Sequence, residues 1–321
     1  MIRYIIKRIG YAVFVIWGVL TLTFAMIHLA PGNPTDIYVR PGIEPETVQL
    51  IQRQLGLDLP THQQYLKWLT GIAQGDLGIS FTSHQPVSRI MAEGIWNTLQ
   101  LTLFVFLIQL IMGTVLGIIS ALLQGRKWDV GINALLLIFY SLPSFWLALM
   151  AIMVFSLKLG WFPSSQMASI IPPEGFWLRF LDRLHHLALP ALVLAISLTA
   201  YTARFVRGSL IDVLAKPYIQ TAKAYGLSRI QIIFKYALKN ALLPLITLSG
   251  LYAPFILGGA VIVEYIFAWP GMGRITINAI FSHDYPVILA SSFLAAISVI
   301  IGNTIADICY RIADPRIEYL K

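Results

Sequence analysis

Six uncharged runs of 20 residues or more dominate this 321-residue chain: Ile9–Ala30, Gly94–Leu123, Val130–Leu157, Leu184–Ala203, Asn240–Val263 and Tyr285–Ala306. A helix needs roughly 20 apolar residues to cross a hydrocarbon core about 30 Å thick. Within lipid every backbone amide must be satisfied internally, which leaves helices or closed barrels. The runs therefore predict an all-α polytopic membrane protein with six transmembrane helices. The second and third are longer than a crossing needs and read as tilted or extended helices.

Composition supports this. The chain is 57% hydrophobic and 12% charged with a mean hydropathy of +0.74, against about 25% charged residues in soluble domains. Its one cysteine, Cys309, rules out an internal disulfide scaffold. Arg3, Lys7 and Arg8 precede the first run in the manner of a signal peptide. An apolar stretch of about 22 residues exceeds the 7–15 of a signal h-region, so it reads as a retained anchor.

The formal charge of +8 would suggest nucleic acid in a soluble domain. Here its distribution gives orientation instead. With the N-terminus inside, segments 1–8, 124–129, 204–239 and 307–321 carry 15 of the 23 lysines and arginines, and the outer segments 31–93, 158–183 and 264–284 carry 8. That bias predicts an N-in/C-in arrangement with no nucleic-acid partner. The expected organisation is an N-terminal cytoplasmic segment with transmembrane helix 1 over 1–30, a small helical extracytoplasmic domain over 31–93, and a five-helix core over 94–321. The outer domain is read from Val48, Leu50, Ile51 and Leu55, then from Tyr65, Trp68, Leu69 and Ile72, at helical spacing. The string Gly75-Asp76-Leu77-Gly78 follows as a turn.

The most informative loop is 204–239. Pro217 pushes Lys216 out of the α region and suits a helical first turn. The spacing predicts a short helix from Pro217 to Tyr225, ended by Gly226 in the left-handed region. Ser228 and Gln231 are spaced as a capping box for a second helix running toward Leu243-Pro244. Tyr218, Ala222 and Tyr225 fall on one face of the short helix, an apolar surface suited either to a partner or to lipid.

These residues carry a family resemblance. Gln220-Thr221-Ala222-x3-Gly226 followed by Leu243-Pro244 resembles the EAA-x3-G loop of integral-membrane subunits of type I ABC importers, with Gln220 in place of the acidic residue. The run Thr221 to Leu227 resembles the branch serving dipeptides, oligopeptides and nickel. So do Leu29-Ala30-Pro31-Gly32-Asn33-Pro34, Leu55-Gly56-Leu57-Asp58, Gln64-Tyr65, Gly75-Asp76-Leu77-Gly78, Pro143-Ser144-Phe145-Trp146, Trp269-Pro270-Gly271-Met272-Gly273, Asp284-Tyr285-Pro286 and Asp314-Pro315-Arg316. In this order they resemble the B-type permease of such systems, which has a large outer loop after its first span.

The resemblance implies half of a translocation pathway for peptides, similar small solutes or nickel chelates in a prokaryotic inner membrane. It implies as partners a second, C-type permease, two cytoplasmic ATPases that use ATP and Mg, and an extracytoplasmic solute-binding protein. ATPase coupling then falls on Tyr218, Ile219, Gln220, Thr221, Ala222, Lys223, Ala224, Tyr225, Gly226 and Leu227. The residues themselves add that no G-x4-G-K-[ST] phosphate loop is present, so this chain has no such means of binding ATP. No catalytic residue and no cofactor of its own is expected.

Glu264, at the outer end of the fifth run, is costly against lipid and is expected to face protein or water. With Trp269 it is a candidate for the pathway or outer gate. His185 and His186 are adjacent and diverge on a helix, so they read as packing residues rather than metal ligands. Gly113 and Gly117 allow close helix approach. The rival readings are an intramembrane enzyme, which needs polar catalytic pairs, and a secondary transporter, which needs buried ion-coupling carboxylates. The six runs contain neither Asp nor Glu apart from Glu264 just beyond the fifth.

Overall fold

The computed structural model describes residues 2–31, 46, 50, 52, 53, 56–242, 245, 252, 255 and 260–313. Helices account for nearly all its regular structure: α1 (Ile2–Leu29), α2 (Thr61–Ala73), α3 (Val87–Leu122), α4 (Lys127–Ser141), α5 (Ser144–Ala151), α6 (Phe176–Leu214), α7 (Pro217–Ala224), α8 (Arg229–Gln231), α9 (Val261–Ile266), α10 (Met272–Phe281) and α11 (Tyr285–Ala313). Wider π turns extend α5 over Ile152–Lys158 and α8 over Ile232–Ala237, after which Leu238–Ala241 is α-helical again.

Among the described residues four helices are long and apolar enough to cross a membrane, or five if α4 and the α5 extension form one broken span. The expected fifth run, Asn240–Val263, lies largely outside the described residues, as does most of the amphipathic stretch 46–55. The third run departs from expectation. It is not a long tilted helix but two helices meeting at a bend of 101°. Pro143 supplies the reason. Its ring excludes the α region for Leu142, found extended at φ −80, ψ 135, and it offers no amide to continue the ladder. By contrast Pro190 lies inside α6, which continues past it.

The chain divides into two compact units, Met1–Thr98 with Pro270–Ile300 and Leu99–Trp269 with Ile301–Lys321. In the first, the end of α1 is clamped onto α2. Phe24 meets Tyr65 edge-on at 5.1 Å, Tyr65 Oη lies 2.8 Å from Thr21 Oγ1, and His28 stacks on Phe24. Gln64 donates to the Leu59 carbonyl at 2.8 Å. A core of Val87, Met91, Met272, Ala279, Val287 and Ile288 completes this unit.

Asp284, 1% exposed, precedes α11 in the same unit. Its carboxylate accepts hydrogen bonds from the Ser80 and Thr82 hydroxyls at 2.6 Å each and from the amides of Phe81 and Thr82. Four donors on one carboxylate satisfy the rule that a buried charge must be bonded. They also fix the loop that follows the Gly75–Gly78 turn.

In the second unit, α3 and α6 cross without clearance. A Cβ on Gly113 would lie 2.6 Å from Thr202 Cβ, and one on Gly117 would lie 2.6 Å from the Ala203 carbonyl. At that crossing the Thr202 hydroxyl donates to Gln109 Oε1 at 2.6 Å. Polar bonding between closely packed small residues is the usual way membrane helices hold together.

Candidate functional site

The segment after α6 folds as its residues predict. Lys216 is extended (φ −69, ψ 148), Pro217 opens α7, and α7 ends one residue earlier than expected, at Ala224. Gly226 takes φ +76, a region L side chains rarely adopt. Its amide donates to the Lys223 carbonyl at 3.0 Å and the Leu227 amide to the Ala222 carbonyl at 3.3 Å, the two bonds of a Schellman closure. Ser228 and Gln231 then form both halves of a capping box, at 3.3 and 3.2 Å.

Packing sorts the ten residues of the coupling segment. Ile219, fully buried, and Ala222 turn inward onto Leu210, Val213, Ile232, Ile233 and Ala237, with Leu227 packed at the edge. Ala222 is therefore not on the exposed face with the tyrosines. A helical stripe broad enough to anchor a two-turn helix takes every third or fourth residue, and 219 and 222 supply it. Tyr218, Gln220, Thr221, Lys223, Ala224, Tyr225 and Gly226 remain exposed, Tyr225 at 82%. Tyr218 is braced from the second helix, since Asn240 Nδ2 donates to its hydroxyl at 2.9 Å.

Two anchors hold the α6 end that delivers this hairpin. The Ser209 hydroxyl donates to the Ala241 carbonyl at 2.9 Å. Upstream, Arg207 donates to both oxygens of Asp129, which also accepts from the Ser120 hydroxyl, the Gly125 amide and Asn133 Nδ2. Asp129 and Arg207 escaped the sequence reading, which counted the surrounding charge for orientation alone. A pair separated by 78 residues leaves no local signal.

Glu264 sits on α9 and is fully buried, as is Trp269. The two are joined around a tight turn, where Ala268 has φ +49 and the Trp269 amide donates to the Glu264 carbonyl at 2.8 Å. Trp269 packs with Leu101, Val105, Leu187 and Ala191. The loop between Gly160 and Gly175 closes on the same turn, since the Gln166 amide donates to the Phe267 carbonyl at 2.8 Å. His185 Nε2 lies 2.7 Å from the Trp161 carbonyl, and His186 Nδ1 lies 2.9 Å from that of Asp182.

This architecture has known counterparts. Residues 113–319 match the family of binding-protein-dependent transport system inner membrane components, and residues 1–102 match the N-terminal membrane component of such systems. The chain belongs to this family. The permease is 40% identical over 320 residues to the oligopeptide transport system permease protein AppB of Bacillus subtilis, covering 99% of this chain and 100% of that relative. It is 38% identical over 344 residues to the di/tripeptide transport system permease protein DppB of Pseudomonas aeruginosa, spanning 100% of both chains. An inward-facing structure of the MetNI methionine ABC transporter aligns with TM-score 0.57 at 18% identity, over 71% of the permease and 97% of that chain, a likeness of fold. The permease is thus a multi-pass inner-membrane transport subunit of an ABC importer and not an enzyme. These relatives give no support to a secondary transporter or an intramembrane enzyme.

Proposed function

We propose that this permease forms half of the pathway of an ATP-driven peptide importer. In this reading six helices run N-in/C-in, and a second permease supplies the other half. An extracytoplasmic solute-binding protein delivers the peptide, and two ATPases that use ATP and Mg dock on the exposed side of Tyr218–Leu227. The observation that carries the reading is full-length similarity to permeases named for oligopeptide and di/tripeptide transport. The exposed tyrosines on a hairpin anchored to α6 give the ATPases a place to push. The sequence has no G-x4-G-K-[ST] phosphate loop, so energy from ATP would have to arrive through another chain.

The test is uptake of a radiolabelled peptide into proteoliposomes holding the complete importer, with ATP and solute-binding protein supplied. Accumulation should require both and stop when the ATPases are omitted. Uptake by this permease alone, or uptake driven by an ion gradient without ATPases, would overturn the proposal.

A further inference from the structure

A groove in the second unit is lined by Tyr140, Ser144, Ser197, Tyr201 and Tyr252 and has a volume of about 450 Å³. It continues along Tyr140 and Tyr201 into a second groove of about 440 Å³ that reaches Arg204. Ser197, Tyr201 and Arg204 stand at i, i+4 and i+7 on α6 and share one face. The other face of this stretch, Thr202, Ala203 and Val206, is buried in the protein. Across the groove, Tyr140 and Ser144 flank the α4–α5 break at Pro143.

Three properties set this stripe apart from a lipid-facing surface. Among the described residues the hydroxyls of Tyr140, Ser144, Ser197 and Tyr201 have no hydrogen-bond partner, and Arg204 has neither an ion pair nor a hydrogen bond. Arg207, one turn further on, is by contrast fully engaged with Asp129. Leu142 is extended and Pro143 has no amide to continue the ladder, and membrane proteins tolerate such a break only where it is buried in protein or lines a wet cavity. A row of neutral hydroxyls and aromatic faces ending in one guanidinium suits a ligand that has many amide groups, variable side chains and a single terminal carboxylate.

We propose that this stripe is a wall of the translocation pathway, with Arg204 receiving the C-terminal carboxylate of the passing peptide and Tyr140, Ser197 and Tyr201 bonding its backbone amides. The guanidinium offers a planar pair of donors matched to a carboxylate. Hydroxyls that both donate and accept serve either edge of a peptide bond without reading its side chain. The proposal rests on the peptide-import reading above.

The experiment uses the complete importer in proteoliposomes, with the photocrosslinking residue p-benzoylphenylalanine replacing Leu198, which also lines the groove, or Leu192, which lies outside it on α6. During ATP-driven uptake of a radiolabelled peptide with a free C-terminus, the 198 probe should form peptide adducts and the 192 probe should not. Arg204→Gln should reduce both adduct yield and uptake about tenfold, the scale of one charge-assisted hydrogen bond, while Arg204→Lys recovers part of each. Recovery of the assembled complex controls for folding. Adducts at 198 formed only with lipid or with the partner permease, or peptide uptake unchanged in Arg204→Gln, would overturn the assignment while leaving peptide import intact. Failure of the unmodified importer to take up peptide would instead overturn the underlying reading.

Discussion

Arg207 grips Asp129 with two parallel bonds, Nε to Oδ1 at 2.9 Å and Nη2 to Oδ2 at 2.8 Å. The pair ties the first turn of α4 to α6, ten residues before Pro217 begins the exposed hairpin. Ser120 and Asn133 complete the shell around the carboxylate, so its acceptor sites are filled by donors from four elements of one unit.

Removing one partner of this pair should cost more than the pair itself contributes, because the other charge stays in place without compensation. Asp129→Asn or Arg207→Gln is expected to destabilise the detergent-solubilised permease by about 2–3 kcal/mol, read as a lowered thermal midpoint. Exchanging the two charges should not restore it. The Gly125 amide and Ser120 hydroxyl would then point their hydrogens at a guanidinium, which has no acceptor. A midpoint restored in the exchanged double variant would show that charge alone, and not this shell, matters.

The Asp284 carboxylate predicts a local effect. Asp284→Asn replaces an acceptor oxygen with an NH₂ group facing the Ser80 and Thr82 donors, at a cost of about 1–3 kcal/mol. The loss should appear as faster amide exchange at Phe81 and Thr82, with α6 and the hairpin unaffected. Uniform acceleration across both units, or none, would contradict this placement.

Substitutions in the hairpin separate anchoring from docking. Ile219→Asp should unseat α7 from its buried cluster and reduce stability, whereas Tyr225→Ala should leave stability unchanged and weaken ATPase association by more than about 1 kcal/mol if the ring is a contact hot spot. Gly226→Val forces a β-branched residue to φ +76, a strain of about 1–3 kcal/mol. Co-purification of the ATPases at equal permease amounts provides the measurement. Undiminished recovery in both Tyr225→Ala and Gly226→Val would refute docking at this segment.

Topology can be checked on a Cys309→Ser background. A cysteine replacing His62 on α2 should react with an impermeant thiol reagent applied to intact cells, and one replacing Gln124 should react only after permeabilisation. Both positions are exposed, so reagent access reports sidedness and not burial. Labelling of Gln124→Cys from outside would reverse the N-in orientation.

The hairpin was legible in the sequence because each of its boundaries is a local steric event. Lys216 before Pro217, Gly226 at positive φ and the Ser228–Gln231 box involve neighbours within four residues. The Pro143 break obeys the same pre-proline rule, yet the surrounding apolar run masked it, since hydropathy is blind to a change in direction. The Asp284 trap, the Asp129 pair and the Gln109–Thr202 contact join residues 204, 78 and 93 positions apart. They depend on how helices lie against one another, which periodicity does not encode. The inward turn of Ala222 was missed for a related reason: small residues at a helix surface read alike whether they face solvent or a packed neighbour.

The glycines at the α3–α6 crossing carry a mechanical consequence. With Thr202 and the Ala203 carbonyl already filling the space a methyl group would occupy, the seam has no slack for one helix to slide along the other. A tug on α6 where it meets Pro217 therefore drags this stretch of α3 with it, and the crossed pair behaves as a single lever arm. Clearance for cargo must then open elsewhere in the unit, and the kink at Pro143, where two helices meet at 101°, is a place where the described helices already change direction.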